Sequence, residues 1–391
     1  MPGWCPERVT YPLHLDLTGR RVLVVGGGPV AVRRVRGLLE AGAAVEVVAP
    51  DVSGEMPSVP LQRRPFTAAD IFGAWLVHAC TGVVDAEVAA ACDERGVWCV
   101  RADDASQSRA WVPAVGRVDD VVVSVTAGRD PRRATALRDA IALAVDSGTL
   151  PLRRSRPGVG SVALVGGGPG DPGLLTVRGR QLLAGADVVV VDRLAPVVEL
   201  AEGVERIDVG KKPGGRSFDQ AAIEELLVAR ALAGQRVVRL KGGDIHLFAR
   251  GVEEVSACVR AGVAVEVVPG VSSAFAVPAY AGIPVTARGV TQSVAVISAH
   301  LPPGDPGSTV HWDALARVGG TLVLLMAVDR LALVCTALIA GGRSDDTPVA
   351  VIENGTLPTQ AVHVATLATA GELAVSAPAV VVIGEVVGMR Q

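Results

Sequence analysis

Two short apolar runs in this chain each end in a cluster of glycines, and this repeated pattern limits the possible folds more than any other feature. Residues 21–25 precede glycines 26–28, and residues 162–165 precede glycines 166–168. After each cluster come a helical pattern and a further apolar run. A strand, a glycine turn, a helix and a second strand together form a parallel βαβ unit. The sequence therefore predicts two separate α/β units, each built on a parallel sheet.

The composition agrees with buried parallel sheets. Half of the 391 residues are hydrophobic, yet only 3% are aromatic, and there are 45 glycines. Valine-rich strands that are buried on both faces, joined to helices by glycine turns, produce this balance. The length indicates two or three domains. A net charge of −3 argues against a general nucleic-acid-binding protein.

The cysteines and the N-terminus bear on the compartment. The six cysteines are scattered without a CxxC pair, which predicts neither a zinc site nor a disulfide framework, but buried thiols in a reducing compartment. The N-terminus lacks the apolar core of a signal peptide, and no stretch approaches the roughly 20 apolar residues of a membrane span. We expect a cytoplasmic protein that binds no metal, membrane or nucleic acid.

Four segments are predicted along the chain. Residues 1–113 form a doubly wound unit, and residues 114–150 add a strand and a helix. Residues 151–160 are rich in Pro, Gly, Ser and Arg and form a linker, and residues 161–391 form the second α/β unit. The prolines at 302–306 are expected to separate this second unit into two lobes with a ligand cleft between them.

The first glycine cluster fits a dinucleotide-binding turn. Gly26, Gly28 and Ala31 match GxGxxA between a strand and a helix. The first glycine permits the tight turn, the second lets a pyrophosphate approach the backbone, and the alanine lets helix and strand pack closely. Glu46 or Asp51 supplies the acidic residue for a ribose, and Asp51 is better placed, at the end of the second strand. The pattern predicts NAD binding, and a purely structural turn is the alternative.

Two aspartates that follow strands are candidates for proton transfer. Asp192 comes directly after residues 188–191, and Asp103 follows the strand that ends at Arg101. A carboxylate at the end of a buried strand beside a ligand crevice is placed to move a proton. The alternative for both is an ordinary turn or cap residue. Lys211 could exchange a proton if it is desolvated, or could be a solvated loop residue.

A third pattern is a strand that ends in Gly242-Gly243-Asp244. This turn brings bare backbone next to a carboxylate, which suits a small polar ligand with a positive charge. Glycine turns with hydroxyl or amide side chains also occur at residues 269–273 and 353–356. We therefore expect one site that is assembled from several loops.

Six motifs in the second unit, in this order, resemble those of the uroporphyrinogen-III C-methyltransferases, which are tetrapyrrole methylases. They are GGGPGDPGLLT (166–176), VVVVDRL (188–194), VGKKPG (209–214), RLKGGDIHLFARGVEE (239–254), VPGVSSAFAVPAYAGIPVTARG (268–289) and VIENGT (351–356). Residues 1–145 resemble the precorrin-2 dehydrogenase and sirohydrochlorin ferrochelatase module. The chain as a whole is similar to the siroheme synthase family, which implies an N-terminal Rossmann-like NAD domain and a C-terminal, two-lobed tetrapyrrole methylase domain.

The resemblance implies roles for particular residues. In the second unit it implies S-adenosylmethionine contacts at Pro169, Gly242, Gly243, Asp244, Leu247, Ser272, Ser273, Met326 and Gly355. In the first unit it implies NAD contacts at Pro29, Val30, Pro50 and Asp51, beside Gly26 and Gly28. Asp192 is implied as proton acceptor, Lys211 as proton donor, and Asp103 as the acid or base for dehydrogenation and metal insertion.

The implied activity is S-adenosylmethionine-dependent methylation of uroporphyrinogen III to precorrin-2, NAD-dependent oxidation to sirohydrochlorin, and iron insertion to siroheme. Methyl transfer to carbon requires positioning and a base. The eight carboxylates of the substrate require cations, which are available at Arg193, Lys212, Arg216, Arg250 and Arg288. A homodimer is also implied. The alternatives are a methyltransferase whose first domain is a non-catalytic dinucleotide-binding module, and methylation of a later cobalamin precursor.

This sequence departs from the family pattern in several places, which include Thr286-Ala287-Arg288 for the family's Thr-His-Arg and Ser298-Ala299-His300 for its Thr-Gly-His. Ile245 and His246 replace the Pro-Phe of the family's GGDPF motif, and Ala249 replaces a glycine. The loss of the proline is expected to loosen the turn that presents Asp244. The helical dimerisation and chelatase segment of longer family members is reduced to one helix and a short linker. This reduction is expected to affect iron insertion and the family's dimer more than dehydrogenation.

Overall fold

A computed structural model describes residues 11–128, 130–150, 152–153, 160–210 and 218–391. The chain divides into two compact units between residues 140 and 141. The predicted linker at residues 151–160 lies mostly outside the described residues. The segment boundaries near residues 113, 150 and 160 therefore stay predictions.

The first unit contains a five-stranded parallel sheet in the order β3-β2-β1-β4-β5. Its elements are β1 (Arg21–Val25), α1 (Pro29–Glu40), β2 (Ala44–Val48), β3 (Leu61–Gln62), β4 (Leu76–Ala79), α2 (Asp85–Glu94) and β5 (Trp98–Arg101). An antiparallel hairpin and a helix follow, β6 (Ala114–Val118), β7 (Val121–Val125) and α3 (Pro131–Asp146). The strand order is that of a doubly wound nucleotide-binding sheet, whose ligand crevice lies where the order reverses, beside β1.

Strand β1 shows why the buried strands have no polar face. Val22 and Val24 pack under α1, and Leu23 and Val25 pack on the opposite face with α2. None of the four is more than 2% exposed. Because helices cover both faces of the sheet, every position of the strand must be apolar. The predicted α/β class is confirmed.

The second unit contains two sheets. The first is entirely parallel, in the order β10-β9-β11-β8-β12. Its elements are β8 (Ser161–Gly166), α4 (Val177–Ala184), β9 (Val188–Val191), β10 (Glu205–Asp208), α5 (Gln220–Leu232), β11 (Arg236–Lys241), α6 (Gly251–Arg260) and β12 (Ala264–Val268).

The second sheet of this unit is mixed, in the order β13-β14-β17-β15-β16, with one parallel pair, β13 and β14. Its elements are α7 (Ser273–Tyr280), β13 (Val294–Ser298), α8 (Trp312–Arg317), β14 (Thr321–Leu325), α9 (Leu331–Ala340), β15 (Pro348–Glu353), β16 (Ala361–Thr366) and β17 (Ala379–Ile383). Short 3₁₀ helices lie at Ala68–Ile71, Ala105–Gln107, Pro172–Leu174, Val328–Arg330, Ala370–Glu372 and Glu385–Met389.

One expectation about the position of the lobes requires correction. The prolines at 302–306 do not separate the lobes, because β13 before them already belongs to the second sheet. The change from one sheet to the other instead occurs between β12 and β13, through α7. The helix that follows the second glycine cluster begins at Val177, where the Thr176 hydroxyl caps it by accepting a hydrogen bond from the Gly179 amide (3.1 Å).

Candidate active sites

A cavity of about 600 Å³ lies in the second unit, between the carboxyl ends of the parallel sheet and the loops of the mixed sheet. The loops after β8, β9, β11 and β12 form one side of it, and the segments after β14 and β15 form the other. Ligands of open parallel sheets bind at this edge. The expected cleft between two lobes is therefore present.

The cavity brings together residues that are far apart in the sequence. Its lining includes Asp192 and all nine positions at which the family resemblance implied cofactor contacts: Pro169, Gly242, Gly243, Asp244, Leu247, Ser272, Ser273, Met326 and Gly355. These residues come from six separate loops. The loops therefore form one cavity, in agreement with the prediction of a single site assembled from several loops.

The Gly242–Asp244 turn is held by its own carboxylate. A Cβ atom on Gly242 would collide with the Leu194 carbonyl. Gly243 has φ +68°, and a Cβ there would meet only the Ser273 amide nitrogen, at 3.9 Å. Asp244 Oδ1 accepts hydrogen bonds from the amides of His246 (2.8 Å) and Leu247 (3.2 Å), and its Oδ2 accepts one from the Gly270 amide (3.1 Å). Asp244 thus ties this turn to the loop after β12, and the backbone of the glycines faces the cavity.

Ile245 anchors the turn in a way that the sequence did not suggest. Its side chain is fully buried and packs in the core with Val188, Val190 and Cys258. The loosening expected from the loss of proline is therefore countered by apolar burial. His246 is exposed, which agrees with a loop histidine that donates its backbone amide to the turn.

Asp192 lies at the tip of β9 on the cavity wall. Its Oδ1 accepts hydrogen bonds from the backbone amides of Leu194 (3.1 Å) and Gly242 (3.4 Å), and its side chain is 26% exposed. The Arg239 guanidinium is 3.9 Å from its Oδ2. Two backbone donors and a buried cation therefore hold this carboxyl group in place next to the glycine turn.

Strained backbone is concentrated at this cavity. Phe248, Arg250, Met326 and Asn354 have φ between +48° and +58°, and all four line it. Thr356, one residue after the lining Gly355, has φ +71°, which is unusual for a β-branched residue. Non-glycine residues with positive φ cost free energy and persist where the surrounding structure imposes them, often at ligand sites. The strain marks the same site that the motifs predicted.

The cations expected to bind substrate carboxylates lie in different places. Arg193 and Arg250 line the cavity, whereas Arg288 is exposed and is not part of the lining. Lys211 lies outside the described residues. Lys212 and Arg216 do so as well.

In the first unit, the glycine turn after β1 leaves room for a ligand. Gly26 has φ +122°, and a Cβ there would lie 2.6 Å from the Cys80 carbonyl oxygen. A Cβ on Gly28, by contrast, would stand in open space. Gly28 is the N-cap of α1 and offers no side chain to the amides of the first turn, and Pro29 begins the helix. A helix N-terminus with free amides and an open glycine is suited to a pyrophosphate.

The residues predicted to contact NAD surround this turn on the surface. Pro29, Val30, Pro50 and Asp51 are all exposed. The loop that carries Asp51 is tied to the turn by a hydrogen bond from the Ser53 amide to the Gly27 carbonyl (2.9 Å). Glu46, the alternative ribose ligand, is instead paired with Arg21 (2.6 Å) within the sheet. The structure thus leaves Asp51 as the accessible acid.

Asp103 is held by an ion pair at the end of β5. The Arg101 guanidinium donates to both of its oxygens (2.9 and 2.6 Å), and the Asp104 amide donates to Oδ1 (2.8 Å). The Arg101 hydrogen bonds are the main cause that holds the pKa of Asp103 below its usual range. The carboxylate is 30% exposed and ionised, as proton abstraction requires.

Comparisons with known proteins agree with the predicted type of both units. The family model for tetrapyrrole (corrin/porphyrin) methylases matches residues 161–371, and a model for putative NAD(P)-binding domains matches residues 13–114. Siroheme synthase 1 of Yersinia pseudotuberculosis is 37% identical over 446 aligned positions, which cover 97% of this chain and 94% of the relative. The chain belongs to the siroheme synthase family.

Two relatives correspond to the second unit of this siroheme synthase family member. The S-adenosyl-L-methionine-dependent uroporphyrinogen III methyltransferase of Methanosarcina barkeri is 48% identical and covers 59% of this chain and 93% of the relative. The crystal structure of uroporphyrin-III C-methyl transferase from Thermus thermophilus, complexed with S-adenyl homocysteine, is 40% identical with a TM-score of 0.51. It covers 58% of this chain and 93% of that chain. The family resemblance found in the motifs is confirmed.

The family alignment also shows that this chain is short. The 446 aligned positions exceed its 391 residues, so the Yersinia siroheme synthase has residues that this family member lacks. Within the described residues, no group of three or more His, Cys, Asp or Glu side chains could hold a metal ion. In the same part of the chain, no helix is long and apolar enough to cross a membrane.

Several lining residues were not identified from the sequence. Among them are Lys241, Phe248 and Arg330. Lys241 had a visible signal, because it and Arg239 are charged residues at alternate positions near the end of a valine- and leucine-containing strand. Phe248 had none, because its positive φ is set by the surrounding loop.

Proposed function

We propose that this chain methylates uroporphyrinogen III to precorrin-2 with S-adenosylmethionine in its second unit, and oxidises precorrin-2 to sirohydrochlorin with NAD⁺ in its first unit. The observation that carries the first activity is the convergence of the nine implied cofactor positions and Asp192 on one cavity. The 40% identity to a methyltransferase solved with S-adenyl homocysteine supports the same assignment.

The cavity residues fit a methyl donor with an extended polar body. Bound S-adenosylmethionine supplies an electrophilic methyl group on a positively charged sulfur. The open face of Gly243 lets such a ligand approach the backbone, and the Ser272 and Ser273 hydroxyls line the same cavity. Asp192 accepts the proton that leaves the pyrrole carbon, since its carboxylate is fixed at the cavity wall by two amides. Lys211 is proposed as the proton donor from the family pattern alone.

The first unit fits a dinucleotide. The α1 amides and the open face of Gly28 hold the pyrophosphate, and Asp51 accepts hydrogen bonds from a ribose. Bound NAD⁺ supplies the hydride acceptor. Asp103, kept ionised by Arg101, takes up the proton that leaves precorrin-2 when the hydride is transferred.

The methylation assay tests the main proposal. The purified full-length chain is incubated with S-adenosylmethionine and uroporphyrinogen III, and the tetrapyrroles are analysed by mass spectrometry. We expect a product that carries two added methyl groups. No methylated product from uroporphyrinogen III would contradict the proposal and would favour a later cobalamin precursor as substrate.

A second assay separates the bifunctional enzyme from a methyltransferase with a non-catalytic first domain. The same protein receives precorrin-2 and NAD⁺, and NADH formation is followed by absorbance. We expect sirohydrochlorin with stoichiometric NADH. Bound NAD⁺ without turnover would leave the first unit as a binding module. Iron insertion is proposed as a further step, with Fe²⁺ as a substrate and Asp103 as the group that receives pyrrole protons, and it is tested by adding Fe²⁺ to the sirohydrochlorin formed.

We also propose a cytoplasmic homodimer. Val115 and Val122 on the hairpin and Leu137 on α3 are exposed apolar side chains, and Arg138 of α3 donates to the Val115 carbonyl (3.2 Å). Sedimentation velocity is expected to give twice the 40.0 kDa chain mass, and a monomer at all concentrations would contradict the dimer. Cys92, Cys99, Cys258 and Cys335 are buried and free, as is usual for thiols in a reducing compartment.

A further inference from the structure

A closed ring of hydrogen bonds joins the two lobes of the second unit beside the cavity. The Asp171 amide donates to the Thr356 hydroxyl (3.0 Å), and the Tyr280 hydroxyl donates to Asp171 Oδ2 (2.8 Å). Gln360 completes the ring, because its Oε1 accepts from the Thr356 amide (2.8 Å) and its Nε2 donates to the Tyr280 carbonyl (3.3 Å). Four residues that are far apart in the sequence thus form one connected group.

The ring crosses from one lobe to the other at Asp171. This residue belongs to the loop after β8, in the lobe of the parallel sheet. Tyr280 ends α7, whose buried residues pack on the mixed sheet, and Thr356 and Gln360 lie between β15 and β16 of that sheet. The two hydrogen bonds that Asp171 makes to Thr356 and Tyr280 therefore connect the lobes, and the bonds of Gln360 brace the side that receives Asp171.

The backbone at this contact is packed as closely as glycine permits. Gly170 has φ +153°, and a Cβ there would lie 3.0 Å from the Leu357 side chain and 3.2 Å from the Thr356 hydroxyl. A Cβ on Gly355 would collide with the Val277 side chain of α7 (2.3 Å). Thr356 is 9% exposed and has φ +71°, a conformation that a β-branched residue adopts only where its surroundings impose it. The contact is therefore specified on both sides.

Each of the three segments in the ring also carries a position at which the family resemblance implied a cofactor contact. The loop after β8 carries Pro169, α7 begins at Ser273, and Gly355 directly precedes Thr356. Pro169, Ser273 and Gly355 all line the cavity, whereas the four ring residues are not part of its lining. A ligand that contacts both sides of the cavity is sensitive to their separation, and the ring sets that separation next to these three positions.

We propose that Thr356 and Tyr280 are positioning residues for the cofactor. Through their hydrogen bonds to Asp171 they hold the loops of the two lobes at the separation that S-adenosylmethionine requires. This inference rests on the proposed function of the cavity as the S-adenosylmethionine site. Neither side chain lines the cavity, so both act through the loops. Their contribution is preorganisation, because a site that is already assembled loses less conformational freedom when the ligand binds.

The experiment removes the two hydrogen bonds between the lobes one at a time in the full-length chain. Thr356→Val deletes the hydroxyl that accepts from Asp171 but keeps the β-branched shape, and Thr356→Ser keeps the hydroxyl. Tyr280→Phe deletes the other bond at a side chain that is 48% exposed. Thr321→Val is the matched control, because Thr321 is a buried threonine of the same unit whose hydroxyl has no partner among the described residues.

The Kd of S-adenosylhomocysteine is measured by calorimetry, and the methylation kcat and the KM for S-adenosylmethionine are measured beside it. We expect the Kd and the KM to rise about 3- to 10-fold in Thr356→Val and in Tyr280→Phe, because each variant loses one hydrogen bond that holds the site together. The kcat at saturating S-adenosylmethionine should change less than about twofold. Thr356→Ser and Thr321→Val should retain the wild-type Kd. A role in folding alone would lower the melting temperature without a change in Kd.

An unchanged Kd in folded Thr356→Val or in Tyr280→Phe would overturn the inference, and so would an equal rise in Thr356→Ser or in Thr321→Val. If Thr356→Val does not fold, Tyr280→Phe is the second variant, and the same rise is required of it. The wild-type protein separates the two levels of the argument. No binding of S-adenosylhomocysteine by wild type would contradict the proposed function, whereas binding by wild type with an unchanged Kd in the variants would contradict only the role of the ring.

Discussion

Asp103 and Asp192 both follow a buried strand of a parallel sheet, yet the two carboxylates are held in different ways. Asp103 is paired with Arg101, only two residues earlier, on the surface of the first unit. Asp192 is bound by backbone amides from two loops and lies 3.9 Å from the buried Arg239 guanidinium of β11. The comparison shows that an aspartate after a buried strand can be held in two ways. Its partners can be near in sequence and exposed to solvent, or they can come from loops that only the folded domain brings together.

The largest loss of activity, and one confined to the second unit, is expected from Asp192→Asn. Asparagine keeps the size of the side chain but cannot accept the proton, so the methylation kcat should fall by about 10²–10⁴-fold. Calorimetry with S-adenosylhomocysteine should show unchanged affinity, and precorrin-2 oxidation by the first unit should continue at the wild-type rate. A methylation rate within a factor of about three of wild type would remove Asp192 from this role.

Ile245→Ala tests whether the turn of the second site depends on core packing. The side chain is fully buried, so its truncation should lower the free energy of unfolding by about 2–5 kcal/mol. Val252→Ala is the control, since Val252 is 64% exposed nearby, at the start of α6. Urea denaturation followed by circular dichroism measures both. Equal effects of the two substitutions would show that Ile245 does not anchor the turn.

Gly28→Ala and Gly27→Ala form a matched pair in the first site. A methyl group on Gly28 meets no protein atom but occupies the approach of the pyrophosphate, so the Kd of NAD⁺ should rise about 10- to 100-fold with unchanged melting temperature. A methyl group on Gly27 would collide with the Asp51 carbonyl, so the Gly27→Ala variant should show a lower melting temperature than wild type. Fluorescence titration with NADH and thermal denaturation distinguish the two outcomes. Unchanged NADH affinity in Gly28→Ala would contradict the placement of the dinucleotide.

The smallest effect is expected from Arg101→Met. The ion pair lowers the pKa of Asp103, so its stabilisation is present above the pKa of the unfolded chain and is lost as the pH falls through the lower, folded value. Without Arg101, the acid limb of precorrin-2 oxidation should move upward toward about pH 3.9. Because the pair is partly exposed, the loss of stability at pH 7 should stay below about 1 kcal/mol. The pH profile of NADH formation and a thermal melt measure the two effects, and a limb that moves downward would contradict the ion pair.

The contrast between local and long-range contacts also explains which parts of the fold could be predicted from the sequence. The strand–glycine–helix pattern predicted both parallel sheets, because apolar runs and glycine turns are local properties. The motifs also predicted which loops meet, since the carboxyl ends of parallel strands share one edge. The strand β3 and the true division of the lobes were missed, because two-residue pairing and sheet membership depend on distant partners.

Buried charge was the hardest feature to foresee. Glu254 sits in a helical pattern where glutamate is usually solvated, and only the packing of α6 against β11 places it between Arg239 and Lys241. Ile245 was misjudged for a related reason. It was compared with the proline that it replaces, whereas its effect comes from the core in which it is buried.

Gly27 lies outside the GxGxxA pattern, yet it limits how this protein can change during evolution. Its missing side chain lets the Asp51–Ser53 loop rest directly on the first turn, and the Ser53 amide closes the contact. With Asp51 in its proposed role at the ribose, a change of preference between NAD and its 2′-phosphorylated form requires only an exchange of the side chain at position 51. An insertion in that loop would first have to separate it from the glycine turn. Cofactor preference can therefore change more readily by substitution in the loop than by a change in its length.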